Sequence, residues 1–122
     1  MTAVRVLLVE DNEAYRESLS FIMGRRDGIE IAGAVATGEE AVSAVEALEV
    51  DVAVVDFRLP GIGGAEVAEA ICRRSPGTRI VFLSASAGQE ERDSARALGV
   101  ALVQKDEGLE ALERAIRAAV AT

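Results

Sequence analysis

The chain has 122 residues, half of them hydrophobic and 28% charged, with a net charge of -8. That size and composition describe one folded domain with a real core, expected to span residues 1–122, and exclude a disordered tail. The acidic balance, with no basic run, argues against the chain itself gripping nucleic acid or an anionic membrane, and favours cations or basic partner surfaces.

Histidine is absent. This removes His-ligated metals, Ser–His and Cys–His nucleophile pairs and His general bases, so any chemistry runs on carboxylates, hydroxyls and amines. The lone Cys72 excludes an internal disulfide and fits a cytoplasmic protein. No apolar run is long enough to span a bilayer, and no export signal is expected ahead of the first strand.

In chain order, Val4-Arg5-Val6-Leu7-Leu8-Val9 reads as a strand ending in Glu10-Asp11, and Asn12 suits the cap of the helix that follows. Tyr15, Leu19, Ile22 and Met23 share that helix's inner face. Residues 29–35 read as a mixed edge strand. Thr37 and Glu40 have capping-box spacing for a second helix, expected to run to about Glu49 and to pack Ala41, Val45 and Leu48. Val52-Ala53-Val54-Val55 reads as a fully buried strand carrying Asp56 at its end, and Pro60-Gly61 breaks the chain into a loop. A third helix is expected from Gly64 to Arg74, with Ala68, Ile71 and Cys72 inward. Residues 79–83 read as a strand ending in Ser84. Ser86 and Gln89 suggest a capping box for a polar helix to about Leu98. Residues 100–103 form a short strand leading to Lys105. Asp106 is placed to cap a last helix whose inner face is Leu109, Leu112, Ile116 and Val120.

Strand and helix thus alternate five times with short loops. The pattern predicts an α/β, doubly wound (βα)5 fold with a five-stranded parallel sheet, in order 2-1-3-4-5. In that order the first and third strands flank the topological switch point, so Glu10, Asp11 and Asp56 converge on one crevice. Unpaired, these carboxylates would repel one another, and a hard divalent cation such as Mg²⁺ resolves the repulsion. Lys105 supplies a positive charge and Ser84 a hydroxyl. Such a set is equipment for phosphoryl transfer to Asp56, because a carboxylate can attack phosphorus to give an acyl phosphate. Taken singly, Glu10-Asp11 reads as a helix start, Ser84 as a turn residue and Lys105 as a solvated lysine. At consecutive strand ends they read as a site.

These residues resemble a known family. Val-Leu-Leu-Val-Glu10-Asp11-Asn12, Val-Val-Asp56-Phe-Arg-Leu-Pro60-Gly61, Leu83-Ser84-Ala85 and Gln104-Lys105 look like a two-component response-regulator receiver domain, with its flavodoxin/CheY-like fold, across essentially the whole chain. The Leu-Pro-Gly and Lys-Asp features are similar to the NarL-like group. The resemblance implies Asp56 as phosphoacceptor and second Mg²⁺ ligand. It implies Asp11 as direct ligand, Glu10 as ligand through water, the Arg58 carbonyl as third ligand, and Ser84 and Lys105 as phosphoryl-binding groups. It implies a sensor histidine kinase as phosphohistidine donor, an output domain or partner protein, a possible homodimer, and transcription regulation if the chain belongs to a longer regulator. No free metabolite would be turned over.

Two positions depart from the family pattern. Leu102 stands three residues before the lysine, where receivers usually carry Tyr or Phe, so it offers no ring to follow a moving hydroxyl. Lys105 is followed by Asp106 rather than proline, so no cis-proline is expected. Arg58 reads either as a screen over the acyl phosphate, obstructing attacking water, or as a solvated side chain. Two competing functions stand beside the switch. Leu102 favours an interaction module with vestigial switching. An Mg²⁺-dependent phosphatase is opposed by Arg58, which stands where such enzymes keep a second acid.

Overall fold

The computed structural model describes residues 3–121. Strands β1 (Val4–Val9), β2 (Ile29–Val35), β3 (Val52–Asp56), β4 (Arg79–Ser84) and β5 (Ala101–Gln104) alternate with helices α1 (Glu13–Gly24), α2 (Gly38–Ala47), α3 (Gly64–Arg74), α4 (Gln89–Leu98) and α5 (Leu109–Ala121). The sheet is parallel, in the order β2-β1-β3-β4-β5.

Both faces of the sheet are covered, which is why the central strands read as continuous apolar runs. Side chains alternate between two cores. Leu7, Val9, Ala53, Val55, Ile80 and Phe82 face α2, α3 and α4. Val6, Leu8, Val52, Val54, Val81 and Leu83 face α1 and α5, against Leu19, Met23, Leu112 and Ile116. Each fully buried side chain of this kind contributes roughly 1.5–3 kcal/mol of transfer free energy.

Several local expectations are met. Asn12 caps α1, its side chain accepting from the Tyr15 N–H at 2.8 Å. Thr37 and Glu40 form the reciprocal capping box of α2. Described residues contain no cis peptide bond.

Others are corrected. The second helix ends at Ala47, and Leu48 is exposed beyond it. Cys72 is exposed, and Val67 takes the inward place on α3 beside Ala68 and Ile71. Helical rotation puts positions 67, 68 and 71 on one face, and 72 falls past its edge. Ser86 makes no cap: Gly88 occupies the N-cap of α4, without a side-chain bond. Asp106 lies inside a short 3-10 turn (Lys105–Glu107), and Gly108, at φ 96°, separates that turn from α5. Val120 is 40% exposed near the end of α5.

Candidate functional site

Register brings the site together. Val9 pairs with Val55, so Glu10 comes level with Asp56 at the carboxyl ends of β1 and β3. Asp56 pairs with Leu83, and Ser84 with Gln104, one residue before Lys105. The β3–α3 loop is drawn in tightly, because the Gly64 N–H donates to the Phe57 carbonyl at 3.0 Å. A Cβ at Gly64 would stand 2.6 Å from the Asp56 carbonyl oxygen, so this position needs glycine for close approach.

Lys105 is the hub. Its ammonium lies 2.9 Å from Glu10 Oε1 and 3.1 Å from Asp56 Oδ2. It also sits 4.5 Å from the centre of the Tyr15 ring, a cation–π contact that sequence reading did not anticipate. Both Asp56 oxygens are engaged, since Oδ1 accepts from the Arg58 backbone N–H at 2.9 Å. Glu10 Oε2 accepts from the Asn12 N–H at 3.0 Å. Its Oε1 meets the ammonium as an ion pair, and no well-directed hydrogen bond reaches that buried oxygen.

The charges press on one another. Burial, and then the neighbouring Asp56 carboxylate, raise the Glu10 carboxyl above 4.5, against the lowering pull of Lys105 and the Asn12 N–H. Burial alone would lower the Lys105 ammonium, but its bonds and charge contacts with Glu10 and Asp56 outweigh that and raise it. Burial likewise raises the Tyr15 phenol.

Asp11 is exposed, yet it offers a carboxylate oxygen to the same cluster. Ligand atoms of Glu10, Asp11 and Asp56 all lie within 4.8 Å of one another. This all-oxygen, all-carboxylate set, with one buried oxygen lacking a hydrogen-bond partner, fits a hard divalent cation and is compatible with Mg²⁺.

Ser84 is buried at the end of β4, and its hydroxyl accepts from the Ser86 N–H at 3.4 Å. Among described residues no hydrogen bond joins it to Asp56 or Lys105. The Arg58 side chain points away from the cluster to Glu90 and Glu91 on α4. Glu91 is the residue that the sequence does not single out: it lies on a helix that reads only as polar, yet its side chain is 2% exposed. The available signal was its place three residues after Gly88, where a glutamate serves a helix N-terminus.

A carboxylate cluster, a strand-end lysine and a buried strand-end hydroxyl thus gather around the switch point of a doubly wound 2-1-3-4-5 sheet, where α/β domains of this class place their sites. The chain matches the family model for the response regulator receiver domain over residues 6–117, and it belongs to that family. It is 34% identical over 83 residues to the positive alginate biosynthesis regulatory protein of Pseudomonas aeruginosa, covering 67% of this chain and 34% of that one. It is 37% identical over 81 residues to the response regulator UvrY of Escherichia coli O157:H7, covering 66% and 37%. The chain thus spans little more than a third of the length of these relatives. Among solved structures, a LuxR-family two-component response regulator from Aurantimonas sp. SI85-9A1 superposes with a TM-score of 0.90 at 28% identity, over 98% of this chain and 86% of that one. Among described residues no helix is long and apolar enough to cross a membrane.

Proposed function

We propose that this receiver domain takes a phosphoryl group onto Asp56 from a phosphohistidine on a sensor histidine kinase. A carboxylate oxygen of Asp56 attacks phosphorus, the P–N bond breaks, and the imidazole leaves with the electron pair. A chain without histidine needs that donor from a partner. The observation carrying the reading is Lys105, whose ammonium bridges Glu10 and Asp56 at 2.9 and 3.1 Å. It is positioned to neutralise charge that develops on the phosphoryl oxygens.

Asp11 and Asp56 would hold Mg²⁺ directly, with Glu10 through water and the Arg58 carbonyl as a further ligand. The cation supplies charge neutralisation at the transferring group. Ser84 is assigned to the phosphoryl oxygens: its hydroxyl accepts from the Ser86 N–H and keeps its own hydrogen to donate. The domain turns over no metabolite and hydrolyses only its own acyl phosphate. Its output is a changed α4–β5–α5 surface, read by an output domain, a partner or a second copy in a cytoplasmic signalling chain that ends in transcription regulation.

Leu102 favours a second reading, an interaction module with atypical switching. Partly buried against the core shared with Phe57 and Phe82, it brings no aromatic ring to β5.

Intact mass after incubation with Mg²⁺ and acetyl phosphate tests the first reading. One phosphoryl group gained, lost with EDTA and absent in Asp56→Ala, is expected. No gain by a folded protein that binds Mg²⁺, even with a kinase extract present, favours the interaction module.

A further inference from the structure

Arg58 connects the site to α4 by a route separate from the acid cluster. Its backbone N–H donates to Asp56 Oδ1 at 2.9 Å. Its guanidinium packs 5.3 Å from the centre of the Phe57 ring and reaches the first turn of α4. There it lies 3.1 Å from Glu90 Oε1 and 3.3 Å from Glu91 Oε2.

Glu91 is the unusual member. A carboxylate whose side chain is 2% exposed needs partners to stay charged. The Ser86 hydroxyl donates to its Oε2 at 2.9 Å, and Arg58 meets the same oxygen. Its other oxygen lies 3.0 Å from where a Cβ on Gly88 would stand, so the carboxylate folds back over the uncapped N-terminus of α4. Negative charge is favoured there. Its own backbone N–H, then Ser86 and Arg58, hold the Glu91 carboxyl below the usual range.

Apolar contacts of this helix lie toward its far end, where Leu98 packs partly buried against the core. Ala95 is its one buried apolar residue among those described, whereas α3 buries Val67, Ala68 and Ile71. The first turn of α4 is therefore attached mainly through charge.

We infer that Arg58 is a latch that clamps the first turn of α4 to the phosphoacceptor loop and releases it when Asp56 is phosphorylated. The inference rests on Asp56 as phosphoacceptor and deepens that reading by naming how the site reaches α4. A phosphoryl group brings strong acceptor oxygens and about two negative charges to a residue two positions from Arg58. Guanidinium groups bind such oxygens bidentately. The competing pair with Glu90 is exposed on both sides and holds weakly. Once Arg58 turns to the phosphoryl group, Glu91 keeps only Ser86 and its helix end, and the first turn loosens.

Hydrogen–deuterium exchange on the whole chain tests this, with intact mass read in parallel. Without phosphodonor, the amides of residues 89–93 should exchange about threefold or more faster in Arg58→Ala than in wild type, with Arg58→Lys intermediate. Glu91→Gln, which keeps an acceptor for Ser86, should loosen the same amides. Equal rates in wild type, Arg58→Ala and Glu91→Gln overturn the latch. With acetyl phosphate and Mg²⁺, wild type that has gained a phosphoryl group should exchange as fast as unphosphorylated Arg58→Ala. Mass gain with unchanged exchange overturns the release step. No mass gain, even with a kinase extract present, overturns the phosphoacceptor reading and the release together, while the first arm still decides whether Arg58 holds α4.

Discussion

At the amino end of the sheet, Arg5 is matched group by group. Its guanidinium meets Glu30 at 2.8 Å and the Glu49 carbonyl at 2.7 Å, while its backbone N–H donates to Asp51 at 2.8 Å. Beside it the buried Thr78 hydroxyl donates to the Val50 carbonyl at 2.8 Å and shares a hydrogen bond with Ser75. At the carboxyl end, one ammonium faces Glu10 and Asp56, with Asp11 close by and a buried Glu10 oxygen left without a hydrogen bond. The first end spends its polar groups on holding the fold. The second keeps excess negative charge under a single lysine, at some cost in stability, and on the function proposed above this is where a cation and a phosphoryl group would bind.

The largest effect should come from removing that lysine. Lys105→Met leaves the buried Glu10 and Asp56 carboxylates facing each other, and phosphoryl uptake followed by intact mass should slow by about 10²–10³-fold. Stability in urea at pH 7 should fall by about 2 kcal/mol, less than for a fully buried pair because Lys105 is partly exposed. The pH dependence carries the signature. The Glu10 carboxyl is raised above 4.5 in the folded chain, so it binds its proton more tightly folded than unfolded. Stability in EDTA should therefore fall as pH climbs from 4.5 through the folded value, more steeply in Lys105→Met. Glu10→Gln should remove that slope, and a slope that survives in Glu10→Gln would refute the assignment. Next in size is the cation itself. At tenfold excess over its Kd, Mg²⁺ should stabilise wild type by about 1.4 kcal/mol, and EDTA should reverse the gain. Asp11→Asn should erase most of it, and a full thermal shift in Asp11→Asn would place the cation elsewhere.

The carboxyl end was the more legible of the two from sequence, because each member closes an apolar run and the strand order brings those ends to one crevice. Glu10, Asp56, Ser84 and Lys105 stand at strand ends as expected, and the Asn12 and Thr37 caps follow local spacing. What escaped depends on contacts between elements. Glu91 looks like surface charge until Arg58 and Ser86 are brought over it. Cys72 and Val67 exchange places with a small rotation of α3. Tyr15 meets Lys105 only once α1 and the segment after β5 are folded onto the same end of the sheet. No local pattern announces a pairing across 90 residues of chain, such as the Arg117 side chain on the Asp27 carbonyl.

The amino end should give smaller, purely structural effects. Thr78→Val keeps the shape but strands the buried Val50 carbonyl, so unfolding in urea should show a loss of about 1 kcal/mol, with phosphoryl uptake unchanged. A change in uptake would mean that the two ends are coupled through β4. Arg5→Ala should cost less still, about 0.5 kcal/mol, because both Arg5 and Glu30 are partly exposed and surface pairs are weak. Salt separates the two ends here as well. At high ionic strength the Arg5 contribution should shrink further, since dissolved ions screen it, whereas the Lys105→Met penalty should largely persist, because the Glu10 and Asp56 side chains are buried and buried pairs are screened much less. If both penalties vanish together in salt, the carboxyl-end cluster is as solvated as the surface pair, and the case that it stores unbalanced charge fails.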